Sequence, residues 1–172
     1  MSIAENRRAR FEYHIEEQYE VGVVLDPSGQ RLVTVGADDR ARVWSTTTGE
    51  ALPGVLADER VTAVAFSPDG RHLAAASTDG MVSVVDVPSG EALASAWGHT
   101  AIVRAMSFSQ DGTRLLVMDF DGKIHVVDPA GGTVVSSLDP KTTGAGELAT
   151  TPDGRHVAIA REGVVVLDMT TG

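Results

Sequence analysis

One four-residue turn motif occurs four times along this chain at almost constant spacing. Each copy is a variant of Ser-Pro-Asp-Gly, and the closing glycines are 41, 42 and 42 residues apart. The copies are residues 26–29, 67–70, 109–112 and 151–154. Such residues favour tight reversals of the chain, and self-similarity at a period of about 20 to 50 residues is the signature of a repeat protein. The chain is therefore expected to fold as four copies of one small unit.

The segments around each turn repeat in phase as well. An apolar run precedes the turn, a second run follows it, and a third comes after another turn rich in Asp and Gly. A fourth run, at residues 51–56, 91–97 and 133–138, closes the first three units. Apolar runs of about 4–8 residues that are separated by Gly, Asp and Pro predict antiparallel strands. The sequence therefore predicts an all-β fold of four-stranded antiparallel blades.

The period also divides the chain. An N-terminal segment covers residues 1–18, and the four repeats cover residues 19–172. The repeats are expected at about 19–58, 59–100, 101–143 and 144–172.

The segment at residues 61–86 carries a family resemblance. It reads Val-Thr-Ala-Val-Ala-Phe-Ser-Pro-Asp-Gly, then Leu-Ala-Ala-Ala-Ser, Asp-Gly and Val-Val-Asp, and it resembles a WD repeat, the unit of one class of β-propeller. Gly98 and His99 are similar to the Gly-His pair that precedes an inner strand in that family. The family's Trp occurs only at Trp44, so its polar network is incomplete in every blade. The resemblance implies a propeller that is held together mainly by apolar packing between blades.

The last repeat ends at Gly172, one strand short of a complete blade. Residues 8–16 are a candidate for the missing strand, because apolar Phe11, Tyr13 and Ile15 alternate with polar residues. Propellers of this kind close in the same way, which removes an exposed sheet edge. About 4 to 8 blades can form a ring, and the family resemblance implies rings of seven or more. We therefore expect two chains to share one eight-bladed ring as a homodimer formed by strand exchange. A four-bladed ring within one chain is the alternative.

The N-terminal segment carries a second resemblance. Residues 3–25 include Asn-Arg-Arg-Ala-Arg at 6–10, then Tyr13, Glu16, Glu17, Tyr19, Glu20 and Gly22. With these residues the segment is similar to the opening of small protein B, the bacterial protein that binds transfer-messenger RNA (SsrA), which suggests a natural or engineered chimera. The resemblance implies RNA contacts at Asn6, Arg7, Arg8 and Arg10. However, residues 1–20 carry three Arg against five Glu, and the whole chain has a net charge of -10. Because affinity for nucleic acid depends on clustered positive charge, neither RNA nor DNA is the expected partner, and RNA binding is the alternative function.

Catalytic and metal-binding patterns are missing from the sequence. The chain has no Cys, which excludes disulfides and thiolate metal sites. Its five His are never at metal-ligand spacing, and residues 119–123 resemble a calcium loop but lack the further ligands. No nucleophile elbow, phosphate loop or dinucleotide fingerprint occurs. The sequence therefore predicts a protein that is not an enzyme and has neither a metal nor a cofactor.

The function expected from the repeats is that of a scaffold for protein–protein interaction or self-assembly, or of a recombined fold with no evolved ligand. Its partner would be a protein or peptide, bound by the loops that enter and leave the inner strands. The candidate residues there are Trp97, His99, Arg60 and Lys141; Trp97 would act as an aromatic anchor or would pack between blades. Because no apolar run approaches the roughly 20 residues that span a membrane and the start lacks a signal peptide, we expect a soluble, cytoplasmic protein.

Overall fold

The computed structural model describes residues 23–36, 40–55, 60–98, 102–138, 147–150, 156–160 and 164–168. These residues form fifteen β-strands: β1 (Val23–Leu25), β2 (Arg31–Val35), β3 (Ala41–Ser45), β4 (Ala51–Val55), β5 (Val61–Phe66), β6 (His72–Ser77), β7 (Met81–Asp86), β8 (Ala92–Gly98), β9 (Val103–Phe108), β10 (Leu115–Asp119), β11 (Ile124–Asp128), β12 (Thr133–Leu138), β13 (Glu147–Thr150), β14 (His156–Ala160) and β15 (Val164–Asp168).

The strands form four separate antiparallel sheets in which sequential strands are neighbours. Blade 1 is β1–β4, blade 2 is β5–β8, blade 3 is β9–β12, and blade 4 contains β13–β15. The register repeats from blade to blade: Phe66 pairs with Leu73 in blade 2, and Phe108 pairs with Leu115 in blade 3. The predicted all-β fold of four-stranded blades is confirmed. Residues 8–16, the candidate closing strand, lie outside the described residues.

The repeated turn is closed by a hydroxyl group and a carboxylate. In blade 2 the Ser67 hydroxyl donates to Asp69 Oδ1 at 2.5 Å and accepts from the His72 amide at 2.9 Å. Blade 1 has the two residue types in the opposite order, and there the Ser28 hydroxyl donates to Asp26 Oδ2 at 2.6 Å. The same short bond therefore forms with either order of the two residues.

The core lies between the blades. One apolar cluster joins blades 2 and 3 and includes Val82, Val84, Leu115 and Val117, all fully buried. Equivalent clusters join blade 1 to blade 2 and blade 3 to blade 4. In β6, three consecutive alanines at 74–76 are buried on both sides of the sheet, which lets the neighbouring blades approach closely. Burial of this apolar surface is the main stabilising contribution.

One hydrogen bond supplements this packing in blade 1. The Trp44 Nε1–H group donates to Thr34 Oγ1 at 2.9 Å, and Thr34 is buried. Val85 and Val127 occupy the position of Trp44 in blades 2 and 3, and an aliphatic side chain cannot donate such a bond. The expected dependence on apolar packing rather than on a repeated polar network agrees with this arrangement.

Candidate partner-binding surface

Each blade has two edges with different composition. The turns between the first and second strands and between the third and fourth strands lie at one edge, which we call the turn edge. The turn between the second and third strands and the connection into the first strand lie at the opposite edge, which we call the loop edge. Arg60, a candidate from the sequence, lies at the loop edge of blade 2, and its carbonyl accepts a hydrogen bond from the Thr78 amide at 2.8 Å. Its side chain is exposed.

The other sequence candidates lie wholly or partly outside the described residues. Trp97 lies in β8, where its backbone pairs with Val82, and its side chain lies outside the described part of the chain. His99 and Lys141 lie outside the described residues, as do the RNA-contact candidates Asn6, Arg7, Arg8 and Arg10. These assignments remain predictions.

Three further residues at the loop edge of blade 3 were not singled out from the sequence. We call Ile102, Arg104 and Phe120 the blade 3 patch. The Arg104 guanidinium carbon lies 5.2 Å from the centroid of the Phe120 ring, and the Phe120 amide donates to the Ile102 carbonyl at 3.0 Å. The side chains of Ile102 and Phe120 are 41% and 55% exposed. The patch is therefore an aromatic ring and an aliphatic side chain beside an exposed cation.

The repeat itself contains the signal that identifies the patch. Aligning the repeats with a shift of 42 residues places Arg60, Thr62 and Thr78 of blade 2 opposite Ile102, Arg104 and Phe120. The backbone bond from Thr78 to Arg60 in blade 2 matches the bond in the patch. Blade 3 thus replaces two polar residues with exposed apolar ones without changing the local fold.

Clefts at the turn edge follow from the stacking of the blades. A cleft of about 280 Å³ between blades 1 and 2 is lined by residues that include Arg31, Ser45 and Pro88, and one of about 200 Å³ lies between the turns of blades 2 and 3. The Arg31 Nη1 group bridges the first pair of blades by donating to the Gly70 carbonyl at 2.8 Å. Because both clefts lie between equivalent turns of consecutive blades, we regard them as features of the repeat.

A row of Ser, His and Asp crosses three strands of blade 3. Ser137 Oγ lies 2.9 Å from His125 Nδ1, and His125 Nε2 lies 3.7 Å from Asp119 Oδ2. The residue types are those of a catalytic triad, but the second distance is too long for a hydrogen bond. The other Asp119 oxygen accepts from the Lys123 amide at 2.9 Å, as a turn residue would. The row therefore connects neighbouring strands and lacks the geometry of a triad.

Metal-binding clusters and membrane-spanning helices are absent from the described part of the chain. In the part of the chain that the structure describes, no three His, Asp or Glu side chains are grouped so that they could hold a metal ion. Within the same residues, the structure contains no helix of the length and hydrophobicity required to cross a membrane. The predicted lack of a metal or cofactor in the whole chain remains a prediction.

An ion pair joins two turns at the turn edge of blade 2. Arg71 Nε donates to Asp86 Oδ2 at 2.8 Å, and the amide and hydroxyl of Ser89 donate to Asp86 Oδ1 at 3.0 and 2.9 Å. The hydrogen bond from Arg71, followed by those from Ser89, lowers the pKa of Asp86 from 3.8 to about 2.

This shift predicts an acid-sensitive contribution to stability. Because the pKa of Asp86 is lower in the folded state, its ionised form stabilises the fold above about pH 4, and the contribution is lost as the pH falls towards 2. We expect Asp86→Asn to unfold more readily than the wild type at pH 6, with the difference in melting temperature shrinking steadily from pH 4 to pH 2. Thermal unfolding followed by circular dichroism across this range measures it.

Arg71→Gln is the matched control for this titration. It removes the main cause of the shift and should raise the pKa of Asp86 towards 3.8, so its pH profile should lie between those of the wild type and Asp86→Asn. The lowered pKa values of Asp69 and Asp111, caused mainly by the Ser67 and Ser109 hydroxyls, leave some acid sensitivity in every variant. A difference between wild type and Asp86→Asn that is constant from pH 6 to pH 2 would contradict the assignment.

Four-stranded antiparallel meanders that stack through apolar faces are the blades of a β-propeller. The structure is similar to a chain of hydrazine synthase from Kuenenia stuttgartiensis, with a TM-score of 0.74, 20% sequence identity, and coverage of 87% of this chain and 46% of that chain. At this identity the similarity shows the fold alone. The family model for the WD domain, G-beta repeat, matches residues 7–45, 53–86 and 90–128, which is more than half of the chain. The chain therefore belongs to the WD40 repeat family.

Comparison with curated proteins confirms the resemblance to small protein B, the SsrA-binding protein. The chain is 40% identical over 76 residues to cilia- and flagella-associated protein 43 of Chlamydomonas reinhardtii, covering 44% of this chain and 4% of that protein. It is 38% identical over 56 residues to the SsrA-binding protein of Caulobacter vibrioides, covering 33% of this chain and 37% of that protein. The SsrA-binding protein of Burkholderia vietnamiensis is 65% identical over 26 residues, which are 15% of this chain and 18% of that protein. The chain thus spans well under two thirds of each of these relatives.

Proposed function

We propose that the chain is a non-catalytic propeller scaffold that binds a protein or peptide at its loop edge. The observation that carries the proposal is the contrast between the two edges. The turn edge repeats the same hydrogen-bonded turn, whereas the loop edge changes from Arg60 and Thr78 in blade 2 to Ile102 and Phe120 in blade 3. Positions whose residue type changes while the repeat fold is kept can serve recognition, and aromatic and Arg side chains are enriched in binding sites.

The absence of catalysis is part of the proposal. Ser and Asp side chains in the repeated turns are engaged in closing those turns; for example, the Ser109 hydroxyl donates to Asp111 Oδ1 at 2.6 Å. The row formed by Asp119, His125 and Ser137 lacks the second hydrogen bond of a triad. Hydrazine synthase is named as an enzyme, but a likeness at 20% identity carries no activity to this chain.

The test compares the two edges with one type of substitution. Arg60→Glu reverses a charge at the loop edge, and Arg114→Glu reverses an exposed charge at the turn edge of blade 3. We expect any protein that binds the immobilised wild-type chain to be lost with Arg60→Glu and retained with Arg114→Glu, as measured by quantitative mass spectrometry. A partner that is lost only with Arg114→Glu would move the binding surface to the turn edge and overturn the proposal.

Assembly is the second part of the proposal: two chains form one eight-bladed ring. Val23 and Leu25, on the side of blade 1 that faces away from blade 2, are 60% and 58% exposed. In blade 2 the equivalent Val64 and Phe66 pack against blade 1. At the other end, Val166 is 59% exposed. The first described blade therefore presents Val23 and Leu25, and the last presents Val166, on a flank with no blade against it in the described structure.

The two flanks are complementary in the way that the internal blade contacts are. Val166 pairs with Ala158 as Val84 pairs with Ala74, and Val84 is fully buried against blade 3. The flank of blade 4 thus matches a surface that packs onto a following blade, and the flank of blade 1 matches a surface that packs onto a preceding blade. Two chains arranged head to tail around a two-fold axis would form two equivalent seams. In each seam the flank of blade 4 of one chain would pack against the flank of blade 1 of the other. In this assembly residues 8–16 would complete the fourth blade of the partner.

A mixing experiment tests this arrangement. The wild type is expected at about twice 18.0 kDa in solution. Leu25→Glu and Val166→Glu each place a charge in both seams of a head-to-tail dimer, so each variant alone should be monomeric. In a one-to-one mixture of the two variants, the unchanged blade 4 flank of Leu25→Glu can pack against the unchanged blade 1 flank of Val166→Glu. One seam is then free of both substitutions, and dimers should reappear. A monomeric wild type, or variants that remain monomeric when mixed, would overturn the shared ring and favour closure within one chain.

The origin of the N-terminal segment is the third part of the proposal. The family match begins at residue 7, inside residues 3–25, which resemble small protein B. We propose that the chain is a recombined fold in which a strand from such a protein serves as a propeller strand. Retained RNA binding would depend on Asn6, Arg7, Arg8 and Arg10. Titration with transfer-messenger RNA at physiological salt tests it: we expect no saturable binding, because five Glu accompany three Arg in residues 1–20.

A further inference from the structure

We infer that the blade 3 patch of Ile102, Arg104 and Phe120 binds an acidic peptide segment in which a carboxylate is adjacent to an apolar side chain. This inference rests on the proposed scaffold function and names the class of its partner. It assigns the site to blade 3, away from the apolar flanks of blades 1 and 4.

The apolar part of the patch is not explained by folding. Phe120 and Ile102 are joined by the same backbone hydrogen bond that joins Thr78 and Arg60 in blade 2. Since Thr and Arg support this geometry, the turn does not require an aromatic or aliphatic side chain. Exposed apolar side chains that form a contiguous surface are typical of binding sites. The 55% exposure of Phe120 and the 41% exposure of Ile102 leave this surface accessible to a partner.

The charged part of the patch selects the partner. Arg104 is exposed on β9 and lies against the Phe120 ring at 5.2 Å, where one face of the guanidinium group is held by a cation–π contact. Within the described part of the chain, no carboxylate forms an ion pair with Arg104. The N–H groups at the edge of a stacked guanidinium can bind a carboxylate with two parallel hydrogen bonds. The ring also limits the motion of the Arg104 side chain, which lowers the entropy cost of binding.

Charge complementarity favours an acidic peptide over the other occupants. A second copy of this chain could supply carboxylates, since the net charge is -10, but in the proposed ring the two chains meet at the flanks of blades 1 and 4 and not at this patch. An Arg and an aromatic ring can also bind a nucleobase, but the same negative charge opposes the approach of a phosphate backbone. A short segment with a single carboxylate carries far less negative charge than a nucleic acid, so it can contact Arg104 with less repulsion from the chain.

The test uses the full chain and three octapeptide pools that are random except for a central pair: Glu-Leu, Gln-Leu or Lys-Leu. Retention of each pool on immobilised protein is measured by mass spectrometry. We expect the Glu-Leu pool to be retained about tenfold more than the Gln-Leu pool, because a charge-assisted bond replaces a neutral one. The Lys-Leu pool should not be retained. Equal retention of the Glu-Leu and Gln-Leu pools would overturn the inference.

Variants taken from blade 2 locate the site. Arg104→Thr and Phe120→Thr introduce the residues that blade 2 carries at these positions, so the fold should be preserved, and each should reduce retention of the Glu-Leu pool about tenfold. Arg114→Thr, at the turn edge, should not reduce it. Retention of the Glu-Leu pool by Arg104→Thr would overturn the site. So would self-association of the chain, measured as its mass in solution, that is lost in Phe120→Thr. Binding of an oligouridine probe that is lost in Phe120→Thr would overturn it as well. If the site fails while capture of a protein partner still depends on Arg60, the scaffold function stands and only this inference is lost.

Discussion

Leu115→Ala is expected to lower the free energy of unfolding by about 2–5 kcal/mol, the range for removing a buried Leu side chain from a packed core. Leu115 is fully buried and lies in the cluster that joins blades 2 and 3. In the sheet it is opposite Phe108 on one side and Val127 on the other. Truncation leaves a cavity between two blades that the paired strands on both sides cannot close. The variant therefore loses the transfer free energy of the removed atoms and also bears the cost of the cavity.

Leu93→Ala is the matched control, because Leu93 lies in a strand of blade 2 but is 43% exposed. A substitution of this kind at the surface changes stability by about 0.5 kcal/mol. Urea unfolding followed by circular dichroism measures both variants. Equal losses at Leu93 and Leu115 would contradict the conclusion that packing between blades is the main stabilising contribution.

The same measurement reports how strongly the blades are coupled. In repeat proteins each unit is stabilised by its own contacts and by those with its nearest neighbours. Leu115 belongs to one of these neighbour contacts. If Leu115→Ala lowers the dependence of stability on urea concentration as well as the midpoint, blades on the two sides of the cavity unfold separately. An unchanged dependence means that the described arc of blades unfolds as one unit.

Strand positions could be predicted from the sequence because each strand is specified locally. The turn at Ser67, Asp69 and Gly70 closes through bonds between residues two to five positions apart, so its sequence pattern is sufficient to predict it. The exchange of Asp26 and Ser28 in blade 1 does not obscure the pattern, since the same residue types remain within the motif.

The blade 3 patch could not be predicted in the same way. Ile102 and Phe120 are 18 positions apart, and they meet only because β9 and β10 pair so that the connection into one strand lies beside the turn after the other. The pattern of apolar and polar residues predicts where the strands are. It does not predict which residues are adjacent at the ends of β9 and β10, where the register shifts. Comparison of each repeat with the next, position by position, contains the missing information: a loop position that is polar in blade 2 and aromatic in blade 3.

The exposure of side chains in the first and last described blades also could not be predicted from the sequence. Val166 and Val84 have equivalent positions in their blades, yet Val166 is 59% exposed and Val84 is fully buried. The difference is caused by what lies against each blade and not by the residue or its neighbours along the chain. Burial in a repeat protein depends on what packs against each unit, so equivalent valines are buried in blade 2 and exposed in blade 4.

Gly70→Ala is expected to lower the free energy of unfolding by about 2–4 kcal/mol, which combines backbone strain with a disrupted contact between blades. Gly70 has a φ of 68°, a conformation that costs an L-residue about 1–2 kcal/mol. A Cβ atom at this position would lie 2.9 Å from Asp26 Oδ2 in the turn of blade 1. Asp26 is buried and accepts hydrogen bonds from the Ser28 hydroxyl and the Arg31 amide, so its carboxylate cannot move away without weakening them.

Gly112→Ala separates the two contributions. Gly112 occupies the same position in the turn of blade 3 with a φ of 70°, but no atom lies within 4 Å of an added Cβ. It should therefore cost only the backbone strain, about 1–2 kcal/mol. The excess loss for Gly70→Ala, about 1–2 kcal/mol, measures the contact between the turns of blades 1 and 2, with urea unfolding as the readout. Equal losses would mean that Asp26 relaxes freely, and that the close approach of the two turns contributes nothing to holding the blades together.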